Sequence, residues 1–222
     1  MTKKNQLLNK TNILSNVSRE YKDSLKELTI FDEIGSTNDE TKTKLTKIEN
    51  FNNSLVIFAE QQTLGRGRSG KAWVSPANVN IYMSFGWHSS IKISDLEGLS
   101  LASGVEISTH LEPIIGEPLK IKWPNDLFLS EKKTGGILVE TISNQKDTSI
   151  VVGVGLNVLM SDKVENSIDQ DWTSLSIHFG KYFDRNKIAG HILEALFHLK
   201  NNFETNGSVS YTHLTLPTIL LV

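Results

Sequence analysis

Three strand-like segments in the middle of the chain constrain the fold most. Ser54–Glu60 is a mainly apolar run after an asparagine-rich turn, which predicts a buried strand. Asn78–Trp87 has apolar side chains at every second position, which predicts a half-buried strand. Leu119–Trp123 alternates in the same way. Strands must pair to satisfy their backbone groups, so these segments predict a sheet at the centre of the fold.

The segments around this region complete the predicted fold. Gly136–Ile142 and Ser149–Gly155 predict two more strands, joined by the polar turn Ser143–Thr148. Asn186–Phe203 predicts an amphipathic helix, because its apolar side chains share one face. Because strands dominate the middle and helices flank them irregularly, the pattern favours an α+β fold with a mixed or antiparallel sheet over strict β–α–β alternation.

A second helix is predicted over Ser94–Leu111. Ser94 is suited to the N-cap position, and Glu97 stands three residues further on. This spacing is that of a capping box, in which the two side chains satisfy each other's backbone N–H groups. The sequence therefore predicts that the helix begins directly after Ser94.

Composition and charge exclude several functions. The 222 residues suffice for one sizeable domain, and they include no cysteine, which excludes disulfides, thiolate metal sites and a cysteine nucleophile. The net charge of −2 creates no basic field for nucleic acid. The N-terminus lacks the apolar segment of a signal peptide, and no stretch approaches the roughly 20 apolar residues that span a bilayer. We therefore expect a cytoplasmic protein that binds neither nucleic acid nor membrane.

The most conspicuous local motif is the glycine- and arginine-rich loop Gly65–Gly70. It matches the dinucleotide pattern G-x-G-x-x-G, but no helix follows it and no acidic residue stands about 20 positions later, which excludes a nicotinamide site. Ala72 after Lys71 excludes a P-loop. Glycines allow a close approach to an anion and arginines offer fixed donors, so the loop predicts anion binding. The alternative is a solvated basic hairpin turn.

Two further clusters contain candidate site residues. In the first, Asp126 follows a strand that ends at Trp123-Pro124, and Lys133 stands seven positions later. This arrangement predicts that the aspartate either holds a cation or orients a lysine, and that Lys133 offsets developing phosphate charge. The alternative is an Asx turn in a charged hairpin. In the second, Gly153 and Gly155 leave one face of a strand without side chains, which predicts that a flat ligand lies there. The alternative is that the glycines mark a bulge or tight packing against a helix.

The six histidines form no ligand pair of useful spacing along the sequence, so no metal site is predicted. His191 and His198 are predicted to lie at the surface or its boundary. No G-x-S-x-G motif is present, which leaves serine hydrolase chemistry without support.

Several motifs occur together in one order. They are Gly35–Asn38, Glu60–Trp73, Asn80–Ser84, Lys122–Asp126, Lys133–Glu140 and Gly153–Asn157. In this combination they resemble the catalytic domain of the biotin–protein ligases over about residues 29–205. The resemblance implies a mixed, largely antiparallel central sheet flanked by helices, related to class II aminoacyl-tRNA synthetase catalytic domains. It also implies an enzyme that uses ATP with Mg²⁺ to convert biotin to biotinyl-5′-AMP and then biotinylates a lysine of a biotin carboxyl carrier protein.

The resemblance assigns roles to individual residues. The implied biotin contacts are Ser36, Thr37, Asn38 and Gln62 at the ureido ring, Arg66, Gly67 and Arg68 at the tail, Lys133 at the carboxylate, and the flat floor of Gly136, Leu138, Gly153 and Gly155. The implied nucleotide contacts are Arg66, Arg68, Trp73, Lys122, Asn125 and Asn157. The implied catalytic residues are Lys133, its acidic partner Asp126, and Arg68, which helps to retain the adenylate.

The resemblance also divides the chain. Residues 1–28 form an N-terminal extension that is too short for the winged-helix domain of some relatives, and 29–205 form the catalytic domain. Residues 206–222 do not resemble the family's small C-terminal β-barrel, and Ser208–Val222 has no charged side chain, so this tail is interpreted as atypical, by truncation or artefact. A monomer and a homodimer both remain open. Two other functions also remain open, a lipoate or octanoate transferase and a non-catalytic biotin-binding module.

Overall fold

The computed structural model describes residues 6–47, 53–143, 147–161, 168, 170–206 and 218–219. Within these residues one eight-stranded sheet forms the centre of the fold. Its strands are β1 (Leu25–Phe31), β2 (Ser54–Ala59), β3 (Ile81–Ser89), β4 (Lys120–Lys122), β5 (Asp126–Leu129), β6 (Lys132–Ser143), β7 (Thr148–Leu156) and β8 (Thr218–Ile219).

The spatial order of the strands is β1-β2-β3-β7-β6-β5-β4-β8. The pairs β1/β2 and β4/β8 are parallel, and the other pairs are antiparallel. The mixed, largely antiparallel sheet confirms the predicted fold class. The predicted hairpin is β6 and β7, where Gly136 pairs with Gly155 and Leu138 pairs with Gly153. This register places the predicted site glycines of both strands side by side.

Helices flank the sheet. They are α1 (Lys10–Leu14), α2 (Arg19–Asp23), α3 (Thr37–Leu45), α4 (Leu99–Ile115), α5 (Leu175–Phe179) and α6 (Arg185–Asn206). The helix α6 confirms the amphipathic prediction over Asn186–Phe203. None of the described helices combines the length and the apolar composition that crossing a bilayer requires.

The prediction that β3 is half-buried was wrong. All of its residues are buried, because helices cover both faces. On one face Gly86 lies against Thr41 and Leu45 of α3. On the other face Phe85 packs edge-on against Phe197 of α6, with ring centroids 4.9 Å apart. The small side chains that suggested a solvent-facing side instead make room for a helix.

The predicted capping box at Ser94 was also wrong. Ile93–Leu96 form a single 3₁₀ turn, and α4 begins only at Leu99. The residue before it, Gly98, has φ +86°, a conformation that suits glycine and breaks the helical path. The Ser94 hydroxyl instead contacts the carboxylate of Asp95 at 3.0 Å. The local spacing was correct for a cap, but the glycine set the helix start.

The N-terminal segment packs on the domain. Ile13 is fully buried, and the close approach of α1 to α6 needs the glycine at 190, where a Cβ would lie 2.6 Å from the Ile13 carbonyl oxygen. The strand β1 starts at Leu25, so the expected boundary between residues 28 and 29 falls inside a strand. Of residues 206–222, those that the structure describes beyond α6 are Thr218 and Ile219, which pair with β4.

Candidate active site

A cavity of about 710 Å³ lies over β6 and β7, between the start of α3 and the loop 62–73. Sixteen of the seventeen residues predicted for the site line it. They are Ser36, Thr37, Asn38, Gln62, Arg66, Gly67, Arg68, Trp73, Asn125, Asp126, Lys133, Gly136, Leu138, Gly153, Gly155 and Asn157. The remaining predicted residue, Lys122, is not among the lining residues, and its ammonium group lies 5.5 Å from the centre of the Phe128 ring. The structure therefore does not place Lys122 at the cavity.

Hydroxyl and amide groups are held in place at the start of α3. The backbone N–H of Thr37 donates to Gln62 Oε1 at 2.9 Å, and the Thr37 hydroxyl lies 3.1 Å from the same oxygen. Ser84 Oγ of β3 lies 2.7 Å from Thr37 Oγ1 and donates to Asn38 Oδ1 at 2.5 Å. The amide of Asn38 donates to Glu140 Oε2 at 2.7 Å. The hydroxyl and amide group is thus preorganised by one residue each from β3, β6 and the loop that contains Gln62.

The loop 62–73 folds back on itself like a hairpin. Arg66 and Ala72 form an antiparallel bridge, and the Gly67 N–H donates to the Lys71 carbonyl at 2.7 Å. The turn between them requires a left-handed backbone at Ser69 (φ +55°) and Gly70 (φ +73°). A hairpin turn was the alternative to an anion site, and the structure shows a hairpin that also lines the cavity.

Arg66 is engaged by acidic side chains. Its guanidinium makes a bidentate contact with Asp39 of α3, at 2.5 and 2.7 Å, and lies 3.7 Å from Glu140 of β6. Lys42 joins the same network, 2.9 Å from both carboxylates. The hydrogen bonds from Arg66 hold the pKa of Asp39 well below its usual range. Because Arg66 is already paired with acidic side chains, Arg68 and Lys71 are the lining cations that form no ion pair with another described residue.

The predicted catalytic pair is in contact. Lys133 Nζ lies 2.8 Å from Asp126 Oδ1, and the side chains are only 14% and 26% exposed. The same ammonium group lies 5.5 Å from the centre of the Trp73 ring. The backbone of Lys133 is held by a segment distant along the chain, since its N–H donates to the Asp171 carbonyl at 3.1 Å. A cation is therefore held at a defined place in the cavity wall.

The bare glycine face of the sheet seats two protein side chains. A Cβ at position 153 would lie 2.2 Å from Asn38 Oδ1, and one at position 155 would lie 2.6 Å from Cε2 of Trp73. Gly136 also faces Trp73, because a Cβ at position 136 would lie 3.3 Å from Cζ3 of the ring. Tight helix packing was one alternative to a ligand floor, and Asn38, at the start of α3, packs on Gly153 in this way. The glycines also line the cavity, and their role as a floor for a flat ligand stays a prediction.

The close packing at Gly155 leads to a stability prediction. We expect Gly155→Ala to lower the free energy of unfolding by about 1–3 kcal/mol, because the added methyl group overlaps the Trp73 ring. Urea denaturation measures the change. Gly35→Ala is the matched control, since its Cβ would have its nearest neighbour at 3.6 Å, and it should be neutral or slightly stabilising. Equal stabilities of the two variants would contradict the proposed contact.

The two predicted asparagines hold backbone groups at the cavity edge. Asn125 Nδ2 donates to the Ile137 carbonyl at 2.8 Å, and Asn157 Nδ2 donates to the Thr173 carbonyl at 3.1 Å. Their contacts to a nucleotide stay a prediction.

Sequence reasoning missed the residues that support the site. Asp39, Lys42, Ser84 and Glu140 were not singled out, although three of them lie within or next to the quoted motifs. Their side chains meet only because α3 packs across β3 and β7, and because β6 pairs with the far edge of β7. The one available signal was Asp39 directly after the Ser-Thr-Asn group, with the opposite charge to the loop arginines.

Taken together, the fold and the cavity define a class of protein. A mixed sheet flanked by helices carries Asn38 of the hydroxyl and amide group over Gly153, and the Trp73 ring over Gly155, two residues or about 7 Å further along the strand. The Lys133 ammonium group lies 5.5 Å from the centre of that ring, so a polar neutral group and a cation line different parts of the cavity. Such a cavity suits a small molecule that has a neutral polar head and an anionic tail.

Comparisons with known proteins agree. Residues 31–157, more than half of the chain, match the Biotin/lipoate A/B protein ligase family. The chain is 34% identical over 168 residues to the bifunctional ligase/repressor BirA of Escherichia coli K12, covering 75% of this chain and 52% of that protein. It is 33% identical over 179 residues to the biotin–[acetyl-CoA-carboxylase] ligase of Mycobacterium tuberculosis, covering 77% and 63%.

A solved structure shows the same fold. The biotin protein ligase from Aquifex aeolicus in complex with biotin and ATP superimposes with a TM-score of 0.65 at 29% identity, over 82% of this chain and 73% of that one. The chain belongs to the Biotin/lipoate A/B protein ligase family. It spans about half the length of the BirA protein that it matches.

Proposed function

We propose that this chain is a biotin–protein ligase, which uses ATP to activate biotin as biotinyl-5′-AMP and transfers the biotinyl group to a lysine of a biotin carboxyl carrier protein. The observation that carries the proposal is the Lys133–Asp126 pair at 2.8 Å within a cavity whose other polar group is the Thr37, Asn38 and Gln62 cluster. The similarity to the biotin–[acetyl-CoA-carboxylase] ligase of Mycobacterium tuberculosis and to the Aquifex aeolicus biotin protein ligase in complex with biotin and ATP supports it.

The chemistry of biotin fits the two ends of the cavity. Its ureido ring is neutral and both donates and accepts hydrogen bonds, which suits the hydroxyl and amide groups of Ser36, Thr37 and Asn38. Its tail ends in a carboxylate, which suits Lys133. Leu138 pairs with Gly153 in the sheet and adds apolar surface to the cavity lining beside Asn38. Glycines and Leu138 thus form the floor, while Asn38 and Trp73 form walls.

In the activation step the biotin carboxylate attacks the α-phosphorus of ATP and pyrophosphate leaves. Both reactants are anions, so Lys133 and Arg68 must offset their repulsion and the charge that develops in the transition state. Asp126 fixes the position of the Lys133 ammonium group through their 2.8 Å contact. ATP enters as its Mg²⁺ complex, and the ion supplies further neutralisation of phosphate charge when bound.

The loop 62–73 is suited to protect the mixed anhydride from water. Arg66 ties the loop to α3 through Asp39, and this closed position keeps Arg68 and Trp73 at the cavity. In the transfer step an acceptor lysine attacks the acyl carbon and AMP leaves.

The test is mass spectrometry of products. Purified protein is mixed with Mg²⁺-ATP, a biotin acceptor domain and either biotin, lipoate or octanoate. We expect biotinyl-AMP and a biotinylated acceptor, with far less product from the other two acids. Preference for lipoate or octanoate would replace the proposal with a transferase of that class. Biotin binding without any adenylate, by folded protein, would instead show a non-catalytic binding module.

A further inference from the structure

A second group of chemically reactive side chains lies away from the cavity, where α4 meets α6. Glu106 and His110 stand four residues apart on α4 and so share one face of that helix. His198 is contributed by α6, which packs against α4. One ligand atom from each of the three residues lies within 4.8 Å of the others. None of the three lines the cavity.

We propose that Glu106, His110 and His198 form a binding site for a divalent transition-metal ion of the zinc type, which bridges α4 and α6. Two imidazoles and one carboxylate are a donor set that Zn²⁺ accepts, with a fourth position for water. Mg²⁺ prefers oxygen donors, so the site is distinct in chemistry from the ATP-binding cavity. Spacing along the sequence did not indicate this site, because His110 and His198 are 88 positions apart, far outside the usual separation of ligands. The two histidines come together only through the packing of α4 against α6.

The contacts of the group suit metal binding. Glu106 Oε2 lies 2.9 Å from His198 Nδ1 and 3.7 Å from His110 Nδ1. The ring of His110 is oriented by a 2.8 Å hydrogen bond from Nδ1 to the Glu106 backbone carbonyl. This leaves Nε2 with its lone pair, and a ring held in this way is the usual arrangement for a histidine ligand. Ligand atoms around tetrahedral zinc are about 3.4 Å apart. Because His110 Nδ1 is bound to the backbone carbonyl, rotation of the His110 ring must bring Nε2 toward Glu106 Oε2 and His198 Nδ1 to complete the site.

Access and charge also favour a cation. The His198 side chain is 46% exposed while that of Glu106 is 9% exposed, so an ion from solvent would meet a mostly buried carboxylate. Burial, and then the negative charges of Glu20, Glu194 and Glu106, raise the pKa of the nearby Tyr21. Binding would join two helices that form one side of the core.

Isothermal titration of the folded protein with Zn²⁺, in an excess of Mg²⁺, tests the proposal. We expect one Zn²⁺ per chain, and binding weaker by about 10- to 100-fold or more in His110→Ala and in His198→Ala. Zinc at about a hundredfold excess over its Kd should raise the Tm of the parent by roughly 5–10 °C and that of these variants by at most about half as much.

The matched control is His178→Ala. His178 Nε2 lies 2.7 Å from Glu117 Oε1, a histidine–carboxylate pair to which the described residues offer no third ligand. This variant should bind zinc as the parent does. The proposal is overturned if the folded parent binds no zinc, or if the His110 and His198 variants bind it as tightly as the His178 variant. Because the readout is zinc binding and Tm, the result is independent of ligase activity.

Discussion

Replacing Lys133 with alanine is expected to lower the rate of biotinyl-AMP formation by about 10²- to 10³-fold, the usual cost of losing one preorganised group that stabilises developing charge. The lysine is the cation whose position is fixed in the cavity, 2.8 Å from Asp126 and 5.5 Å from the centre of the Trp73 ring. Single-turnover formation of the adenylate, followed by mass spectrometry, measures the rate without dependence on the acceptor.

Lys132→Ala is the matched control for this experiment. Lys132 is the adjacent residue of β6, and its side chain is exposed on the other side of the strand. We expect its rate to stay within about twofold of the parent, since an exposed charge in water has little effect at a distance. Equal losses in the two variants would show that general basicity of this strand matters and would remove the specific role assigned to Lys133.

The second large effect is expected at a buried ion pair outside the cavity. Arg185, at the start of α6, contacts Glu60 Oε2 at 2.6 Å, with side chains 0% and 4% exposed. The guanidinium also donates to the Asn80 and Gln6 carbonyls, and Glu60 Oε1 accepts from the Leu8 N–H at 2.5 Å. This pair therefore joins the start of α6 to Glu60, which directly follows β2. It also connects both to the N-terminal segment and to Asn80, which directly precedes β3.

Arg185→Met should lower the free energy of unfolding by about 3–5 kcal/mol, because it leaves the Glu60 carboxylate buried without its counter-charge. Urea denaturation measures this loss. Lys120→Met is the control, since its pair with Glu131 is exposed and should contribute only about 0–1 kcal/mol.

A double variant separates charge from packing. Adding Glu60→Gln to Arg185→Met removes the unpaired charge and should restore part of the lost stability. The interpretation fails if Arg185→Met is no more destabilising than Lys120→Met, or if the double variant shows no recovery.

Much of the fold could be predicted from local patterns. Apolar runs and periodicity predicted the strands β2, β6 and β7 and the helix α6. These patterns are local signals, because the side of a strand or helix that is buried in the core must be apolar wherever that element lies in the fold. The fold class followed from their order along the chain. The start of α4 and the second buried face of β3 did not, since the first depends on a positive φ at Gly98 and the second on which helix packs above Gly86.

For the site, the sequence by itself determined which residue types are available. The family resemblance carried by the ordered motifs implied sixteen residues that the fold brings to one cavity, and the pairing of Lys133 with Asp126 was among these predictions. Motifs identify such residues because catalytic groups, glycines and loop cations have few chemical substitutes.

Only the tertiary structure decided how those residues are used. It places Lys122 beside Phe128 outside the cavity, engages Arg66 with Asp39, and brings His198 to Glu106 and His110. Each of these outcomes depends on side chains from elements that are distant along the chain. Electrostatic and hydrogen-bond energies depend on distance in space, which the order of residues in one sequence does not specify.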